Sequence, residues 1–476
     1  MIFNSFNFLV LYPILFLLYY AIPAKHPNIR NLFLLTLSYA LYIQWKPVYA
    51  LILLLVTFIT YNGALMLNNP NATGGGIKFV KTKLAILVVL AASPLIFFKY
   101  YNFINDSITS CLSSAGIQFH LPGLNLMIPV GISFFTFQAL SYLWDVYYKK
   151  IEPEKNFLHY ALFISFFPSI VAGPINKASL ILPQIKKLRT YFDYPKAVEG
   201  LKMILWGMFM KVVVADRIAI YVDTVLDSYA NYTGITCLFA ALLYSIQIYA
   251  DFAGYSLMAI GVGKTLGFEL TENFRRPYFA VSVTDFWRRW HISLSTWLKD
   301  YVYIPMGGSR CSKIKNYWNI LATFLVSGIW HGANWTFVVW GALHGIFQII
   351  EKALGQQKCE YGSFGKAVKI TITFILVTFA WIFFRMPTLN DAFQVIGRIF
   401  SLNGGLNLFI EIDTLAFVFL GLFALVFKDI TDEYFPSFKL LDNKRTIVRW
   451  ICYAGLTAFI LLAGVFSSDQ FIYANF

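Results

Sequence analysis

The stretch YWNILATFLVSGIWHGANWTFVVWGALHGIFQII, residues 317–350, sets the first constraint on the fold. As one α-helix it would be roughly 50 Å long at 1.5 Å per residue, which is too long for a bilayer without strong tilt. Gly328, Gly332 and Asn334 are residue types that break helices. The sequence therefore predicts an interruption or kink within 327–335, and the run counts as one or two membrane spans.

The rest of the chain has the same apolar character. Of its 476 residues, 58% are hydrophobic and only 13% are charged, which is about half the charged share of a soluble domain. A water-soluble fold of this size has no interior large enough for so much apolar surface, so the solvent must be lipid. We expect an all-α, polytopic membrane protein in which residues 1–476 form one membrane-embedded domain.

Hydrophobic runs of roughly 17–25 residues are candidate membrane spans, and they predict about eleven or twelve crossings in this chain. A shorter run, 157–174, is broken by Pro168, Gly173 and Pro174. That pattern is typical of a re-entrant or buried broken helix. The predicted spans are 6–22, 31–45, 48–67, 84–104, 127–148, 198–215, 233–262, 317–350, 367–385, 409–427 and 447–467.

Loop charges indicate the orientation, because Lys and Arg concentrate in cytoplasmic loops. Residues 105–126 contain no Lys or Arg, whereas 78–83 and 149–155 are rich in lysine. The N-terminus is therefore predicted to be extracytoplasmic, and the strongly basic segment 264–316 to be cytoplasmic. The first apolar run has no basic region before it and no small-residue cleavage site after it, so we interpret it as a permanent span.

The net charge of +14 does not indicate nucleic-acid binding. Lys and Arg are spread over many short loops, and the sequence contains no basic domain that could hold DNA or RNA. Positive loops between apolar spans follow from membrane topology alone. The 5 cysteines are scattered without a C-x-x-C pair, so they predict no disulfide framework.

Between two membrane blocks lies DFWRRWHISLSTWLKDYVYIPMGG, residues 285–308. Helical spacing places Arg288, His291, Ser295 and Lys299 on one face, opposite a Trp-rich face. This pattern predicts one amphipathic helix that lies in the membrane interface or under a roof of protein, and the rigid turn YIPMGG ends it. An interfacial helix whose basic residues contact lipid phosphates explains the charges, but it does not explain His291.

His331 interrupts an apolar run, and a polar residue at bilayer depth is costly unless it has a partner or lines a wet cavity. Three roles are open: a structural histidine, a metal ligand or a catalytic base. A metal site is disfavoured because His291, His331 and His344 lack H-x-x-x-H spacing and no cysteine or carboxylate cluster accompanies them. For His344 we favour a packing role.

Further polar side chains lie in apolar runs. Asp251, in YADFAGYS, would either orient a histidine or pair with an arginine, and the structural role is favoured. For Gln138, Tyr142 and Asp145 a polar belt is favoured over contact with substrate.

Together these motifs resemble the membrane-bound O-acyltransferase family. The resemblance is to its bacterial branch, which includes members of alginate O-acetylation, peptidoglycan O-acetylation and D-alanyl transfer to teichoic acid. It covers essentially the whole chain, although the final FIYANF departs from the family's F-I-Y-F-Q-F ending. The stretches that carry it are FWRRWHISLSTWLKDYVYIPMGG (286–308), SGIWHGANWTFVVWGALHG (327–345), PVGISFFTFQALSYLWDVY (129–147), FFPSIVAGPI (166–175) and YADFAGYS (249–256).

The resemblance implies an acyltransferase built as a helical bundle of the family's type. His331 matches the family's invariant histidine, and His291 matches its second, Asn-or-His position. Acyl transfer from a thioester to a hydroxyl needs a base, and a neutral imidazole can accept the hydroxyl proton. His291 would orient the acyl carbonyl, donate to the oxyanion or protonate the leaving thiolate. Substrate contacts are expected from Trp330, Asn334, Arg288, Ser295 and Asp251, with Trp335 as a further wall of the cavity.

The implied donor is acetyl-CoA, with no bound cofactor and no metal, and the implied acceptor is an extracytoplasmic polysaccharide. An extracytoplasmic SGNH-type acetyltransferase or a similar protein would be the partner. Because CoA cannot cross the hydrocarbon, His331 is expected at the neck of a passage that opens to both sides. D-alanyl or other acyl transfer to cell-wall polymers is the alternative, and a secondary transporter or a membrane dock without catalysis also stays open.

Overall fold

The structure is a computed structural model that describes residues 3, 6–68, 77–117, 121–187, 192–356, 362–409 and 412–466. Within these ranges the chain is helical, with short π and 3-10 segments and no β-strand. The all-α prediction is confirmed. The final FIYANF lies outside the described residues.

The N-terminal part of the bundle consists of α1 (Phe6–Ala21), α2 (Pro27–Ile43), α3 (Pro47–Asn68), α4 (Ile77–Leu95) and α5 (Tyr101–Ser114). Pro27 and Pro47 start α2 and α3, where the missing N–H of proline costs no hydrogen bond. Pro94 lies inside α4, and the helix continues into α5 through a π segment at Ile96–Tyr100. A proline removes one hydrogen bond of the helix, so a wider turn at this point is expected.

The next helices are α6 (Ile132–Tyr147), α7 (Phe157–Ser165), α8 (Phe167–Ile170) and α9 (Ala178–Lys186). Helix α6 is buried along nearly its whole length. It starts after Gly131, whose φ of +74° and close approach to the Ile170 carbonyl leave no room for a side chain. The run 157–174 forms short, buried helices with a break at Phe166, as predicted.

The centre of the chain consists of α10 (Tyr194–Met208), α11 (Asp216–Asp227) and α12 (Gly234–Thr265). A π segment at Phe209–Ala215 joins α10 to α11. Gly207 and Gly254 face each other, and a Cβ on either residue would lie 2.5–2.7 Å from the other's carbonyl oxygen. Small residues let helix backbones approach closely in membranes, so α10 and α12 form a tight pair.

The segment with the two predicted histidines forms α13 (Val283–Arg289), α14 (Ile292–Leu298), α15 (Lys313–His331) and α16 (Trp335–Ala353). Helices α15 and α16 fold back on each other as a hairpin. Gly328 of α15 would clash with the Phe337 carbonyl if it carried a Cβ, and Gly341 of α16 with the Phe324 carbonyl. The interruption predicted within 327–335 is confirmed, and the run 317–350 is two helices.

The C-terminal part consists of α17 (Ser363–Arg385), α18 (Leu389–Ser401), α19 (Ile412–Tyr434) and α20 (Thr446–Ala463). Helix α18 is amphipathic and was not predicted. Its N-terminus is capped by Thr388, which accepts the Asp391 N–H, while Phe393 and Phe400 are exposed. A sequence search for continuous apolar runs misses such a helix because only one of its faces is apolar.

Six helical segments of the described chain are long and apolar enough to cross a membrane, and a shorter apolar helix accompanies them. They support a multi-pass membrane protein. The count of about eleven crossings stays a prediction, as does the assignment of all 476 residues to one domain. The six segments are Pro47–Asn68, Phe79–Ser114, Gly234–Thr265, Ser363–Arg385, Thr414–Tyr434 and Thr446–Ala463.

Candidate active site

His331 is the last residue of α15, at the tip of the helical hairpin. The chain leaves the helix at Gly332, which is extended, and Asn334 caps α16 by accepting the Thr336 N–H at 3.0 Å. A Cβ on Gly332 would lie 2.1 Å from an atom of the Phe337 ring, so the tip has room only for glycine there. The break therefore ends the helix directly after the histidine.

The imidazole of His331 lies inside the bundle, where the residue is 1% exposed. Aromatic rings surround it, with centroid distances of 4.8 Å to Trp330, 4.9 Å to Trp340 and 5.4 Å to Phe384. The ring of His291 lies 6.3 Å away. The fold thus brings together the two histidines that the sequence singled out.

His291 occupies a break between two short helices, so the single amphipathic helix predicted over 285–299 is wrong. Helix α13 ends at Arg289, Trp290 is extended, and His291 has a φ of +44° before α14 begins. A non-glycine residue in this left-handed region costs of order 1–2 kcal/mol. The surrounding contacts must therefore hold the break.

Asn273 holds this break from outside the segment. Its backbone carbonyl accepts the Ile292 N–H at 2.9 Å, and its Oδ1 accepts the Ser293 N–H at 3.2 Å. The same Oδ1 lies 3.1 Å from Nδ1 of His291. Burial lowers the pKa of His291 to about 3, so its ring is neutral at physiological pH.

Lys99 was not predicted as a site residue, yet it binds the end of the helix that carries His331. It is 6% exposed, and its Nζ donates to the carbonyls of Trp330 at 2.6 Å and His331 at 3.1 Å, and to Ser133 Oγ at 3.4 Å. A cation at the end of α15 stabilises carbonyls that have no partner within the helix. The signal was present, because Lys99 interrupts the predicted span 84–104 and an intramembrane lysine indicates function.

The two tryptophans predicted as walls differ in position. Trp330 lies beside both histidines, 5.7 Å from His291 and 4.8 Å from His331 between centroids. Trp335 is 54% exposed and packs on Phe103. The prediction that Trp335 walls the site is wrong, because α16 begins with this side chain on its exposed face.

Two of the other predicted substrate contacts, Asn334 and Ser295, have structural partners. The Asn334 amide donates to the Pro387 carbonyl at 2.7 Å, and the Ser295 hydroxyl donates to the Trp290 carbonyl at 3.2 Å. Arg288 is exposed. A role for these side chains in substrate binding stays a prediction.

Asp251 forms an ion pair with Lys211 at 2.6 Å, so a lysine stands where the sequence suggested an arginine. Lys211 also pairs with Asp216 at 2.6 Å, and all three side chains are buried. Lys211 lies inside the predicted span 198–215, so it was a second intramembrane lysine that sequence reasoning passed over. The contact of Asp251 with substrate stays a prediction.

His344 packs as expected for a histidine of the bundle interior. Its Nδ1 accepts the indole N–H of Trp287 at 3.1 Å, and its ring lies 5.0 Å from Trp340. Trp340 in turn contacts His331, so one indole separates the two rings. His344 therefore supports the wall around His331.

A cleft of about 570 Å³ opens beside two residues that contact His291. Asn273 and Phe274 line the cleft, and both contact His291. Both histidine rings are themselves enclosed, so a passage to both sides of the membrane stays a prediction. The cleft carries as many acidic as basic side chains: Lys202, Lys264, Arg275, Arg276, Lys428, Lys439, Glu199, Glu269, Glu272, Asp429, Asp432 and Asp442.

Within the part of the chain that the structure describes, no group of three or more His, Cys, Asp or Glu side chains could hold a metal ion. What the geometry offers is two imidazoles inside an aromatic enclosure, with a polar cleft one side chain away. Such a pair is suited to moving a proton between reacting groups.

A family model of MBOAT, the membrane-bound O-acyltransferase family, matches residues 154–390, a range that includes both histidines and Asn273. The chain is also 35% identical to a probable alginate O-acetylase of Pseudomonas putida over the full length of both proteins. The chain belongs to the membrane-bound O-acyltransferase family.

Two further relatives show how widely the MBOAT family resemblance extends. The chain is 35% identical to a peptidoglycan O-acetyltransferase of Helicobacter pylori, over 85% of this chain and 80% of the relative. It is 27% identical to a teichoic acid D-alanyltransferase of Bacillus subtilis, over 62% of this chain and 75% of the relative. The family resemblance is confirmed, and this MBOAT protein is an acyltransferase.

Proposed function

We propose that this MBOAT protein transfers an acetyl group from acetyl-CoA toward an extracytoplasmic polysaccharide, with His331 at the reaction centre. The observation that carries the proposal is the buried pair of His331 and His291, whose rings lie 6.3 Å apart next to a polar cleft. The acceptor class follows from the relatives, which are named as an alginate O-acetylase and a peptidoglycan O-acetyltransferase.

The chemistry needs one base and a route for one proton. A hydroxyl of the acceptor attacks the thioester carbonyl, the C–O bond forms and the C–S bond breaks. His331 takes the hydroxyl proton, which finally reaches the thiolate sulfur, so the reaction is balanced. The surrounding rings of Trp330, Trp340 and Phe384 exclude water, which protects the thioester from hydrolysis.

The cleft supports entry of the donor from the side of segment 264–316. Arg275 and Arg276 follow Asn273 and Phe274 in the chain, and guanidinium groups suit the phosphates of CoA. Both arginines already have acidic partners, Glu272 and Glu433 respectively. Donor phosphates would therefore have to exchange with these ion pairs, and salt should weaken donor binding.

The identity of the acyl donor can be tested directly with the purified protein in liposomes. We expect transfer or slow hydrolysis of radiolabelled acetyl-CoA, and loss of both in His331→Ala. The variant His26→Ala removes an exposed histidine and serves as the control. If only a D-alanyl carrier-protein thioester is used, the alternative suggested by the Bacillus relative is correct and the acetyl proposal is wrong. If neither thioester reacts, the catalytic part of the proposal is wrong.

The partner and the orientation belong to the same proposal. An extracytoplasmic SGNH-type acetyltransferase would complete transfer to the polysaccharide, and the N-terminus would be extracytoplasmic in the inner membrane. In a variant without native cysteines, we expect a cysteine at Ser113 to react with an impermeant reagent added outside whole cells. A cysteine at Lys81 should react only after the membrane is opened. The reverse pattern would contradict the orientation.

A further inference from the structure

The side-chain oxygen of Asn273 can be identified from the donors around it. The Ile175 N–H donates to the hydroxyl of Ser293 at 3.0 Å, so the hydroxyl proton of Ser293 is available for Asn273 at 2.9 Å. The backbone N–H of Ser293 points at the same atom, at 3.2 Å. Because an amide nitrogen cannot accept these two protons, the atom that faces Ser293 is the oxygen, Oδ1.

This assignment determines where the proton of His291 is located. Nδ1 of His291 lies 3.1 Å from the same Oδ1, which has no proton to give. Nδ1 must therefore be the donor and carry the hydrogen. Since the buried ring is neutral, the other ring nitrogen, Nε2, carries a lone pair.

We propose that Asn273 is a positioning residue that holds His291 with its proton on Nδ1, so that Nε2 acts as a proton acceptor during acyl transfer. The inference rests on the proposed function for its catalytic part. The sequence left three roles open for His291. This tautomer excludes one of them, donation of a hydrogen bond to the oxyanion by the neutral ring, because the only ring proton is bound to Asn273. It favours a role in moving the proton to the leaving thiolate.

The position of His291 fits this proton route. Its neighbours Asn273 and Phe274 line the cleft, so a thiolate that leaves through the cleft passes His291. The rings of His291 and His331 lie 6.3 Å apart between centroids, and a reacting hydroxyl or one water can bridge them. The hydroxyl proton passes from His331 to Nε2 of His291 and then to the sulfur, while the C–O bond forms and the C–S bond breaks.

The tautomer can be measured without any substrate. In full-length protein with ¹⁵N-labelled histidine, His291→Gln identifies the resonances of His291 by difference. We expect a protonated Nδ1 and an unprotonated Nε2 in the wild type. The variant Asn273→Leu should lose this preference, and Asn273→Asp should keep it. A wild-type spectrum with the proton on Nε2, or one that does not change in Asn273→Leu, would overturn the proposal.

Kinetics then separate positioning from folding. We expect Asn273→Leu to lower kcat about 100-fold with little change in KM, because a wrong tautomer removes the proton acceptor. In Asn273→Asp the carboxylate favours the charged imidazole, so the acid limb of the pH–rate profile should move to higher pH. A profile identical to that of the wild type would count against the role of Asn273.

Asn176 provides a matched control for the kinetic test. Its side chain is also buried, and its bonds lie near Asn273 in the chain. It accepts the Thr271 N–H and donates to the Pro174 carbonyl, and neither bond involves a histidine. Asn176→Leu should destabilise the protein without moving the pH–rate profile or the His291 tautomer. If both variants change the pH–rate profile and the His291 tautomer equally, Asn273 has only a structural role. If the wild type shows the expected tautomer but no acyl transfer, the proposed function fails and the tautomer assignment stands.

Discussion

The two histidines of the proposed reaction centre are held in different ways. His291 lies between two short helices with a positive φ, and Asn273 binds its ring through Nδ1. His331 lies on the last turn of a regular helix, where Lys99 binds the carbonyls of the turn and aromatic rings pack around the imidazole. One arrangement fixes a ring nitrogen, and the other fixes the helix end that carries the ring.

This difference shows which substitutions should affect each histidine. A change at Asn273 acts on the proton position of His291, whereas a change at Lys99 or in the hairpin tip acts on the position of His331. The first kind of change should appear in tautomer and pH dependence, and the second in the stability of the tip and the rate of transfer. Substitutions near His291 and substitutions near His331 should therefore be distinguishable by these measurements.

The largest effect is expected from His331→Ala. Removal of a general base lowers the rate by about 10²–10⁴-fold, and a single buried ring should not be needed for the helices to form. Thioester consumption in liposomes measures the rate, and size-exclusion chromatography in detergent checks the fold.

His291→Ala is the comparison within this prediction. It should keep a trace of activity if His291 only assists His331. Near-normal activity in His331→Ala together with complete loss in His291→Ala would mean that the two roles are reversed.

Local sequence patterns predicted most of the helices, because long apolar runs have few alternatives in lipid. The run 48–67 corresponds to Pro47–Asn68, and the run 447–467 to Thr446–Ala463. The break after His331 was also predictable, since Gly332 and Asn334 are local signals.

The break at His291 was not predictable from its own segment. No glycine or proline interrupts the helical pattern there, and the cause is Asn273, which lies outside the pattern. The partners of Lys99 are a similar case, because Trp330 and His331 are distant from it in sequence. Periodicity shows which residues share a helix face, but it contains no information on contacts between distant segments.

The next largest effect is expected from Lys99→Met, which keeps the length of the side chain and removes its three N–H donors. The carbonyls of Trp330 and His331 then lose their partner, and each unsatisfied buried group costs about 1–3 kcal/mol. We expect lower thermal stability and slower transfer, while the His291 tautomer is unchanged. Lys81→Met, on the exposed part of the same helix, is the control. An unchanged rate in Lys99→Met would show that Lys99 does not support acyl transfer.

A smaller effect is expected from Gly332→Ala at the hairpin tip. The new Cβ meets the Phe337 ring at 2.1 Å, and overpacking of this kind costs about 1–3 kcal/mol. The double variant Gly332→Ala, Phe337→Leu should recover part of the lost stability, because the smaller side chain makes room. Thermal unfolding in detergent measures both variants. If the double variant is no more stable than Gly332→Ala, the tightness of the tip has another cause.

The smallest effect is expected from substitution of Asn334. Its variants distinguish a structural role of this side chain at the hairpin tip from a role in substrate binding. Its Oδ1 caps α16 and its Nδ2 donates to the Pro387 carbonyl, so the amide is engaged away from the histidine rings. Asn334→Ala should lose about 1 kcal/mol of stability, as is usual for a lost N-cap. Asn334→Asp keeps the cap but cannot donate to the Pro387 carbonyl, so it should recover the capping part of this loss and not the part due to Nδ2. In both variants KM for the donor should stay close to the wild-type value once the folded fraction is equalised. A rise in KM of tenfold or more in Asn334→Asp would show that this amide contacts substrate, and would extend the reaction centre from the two rings to the turn that joins α15 and α16.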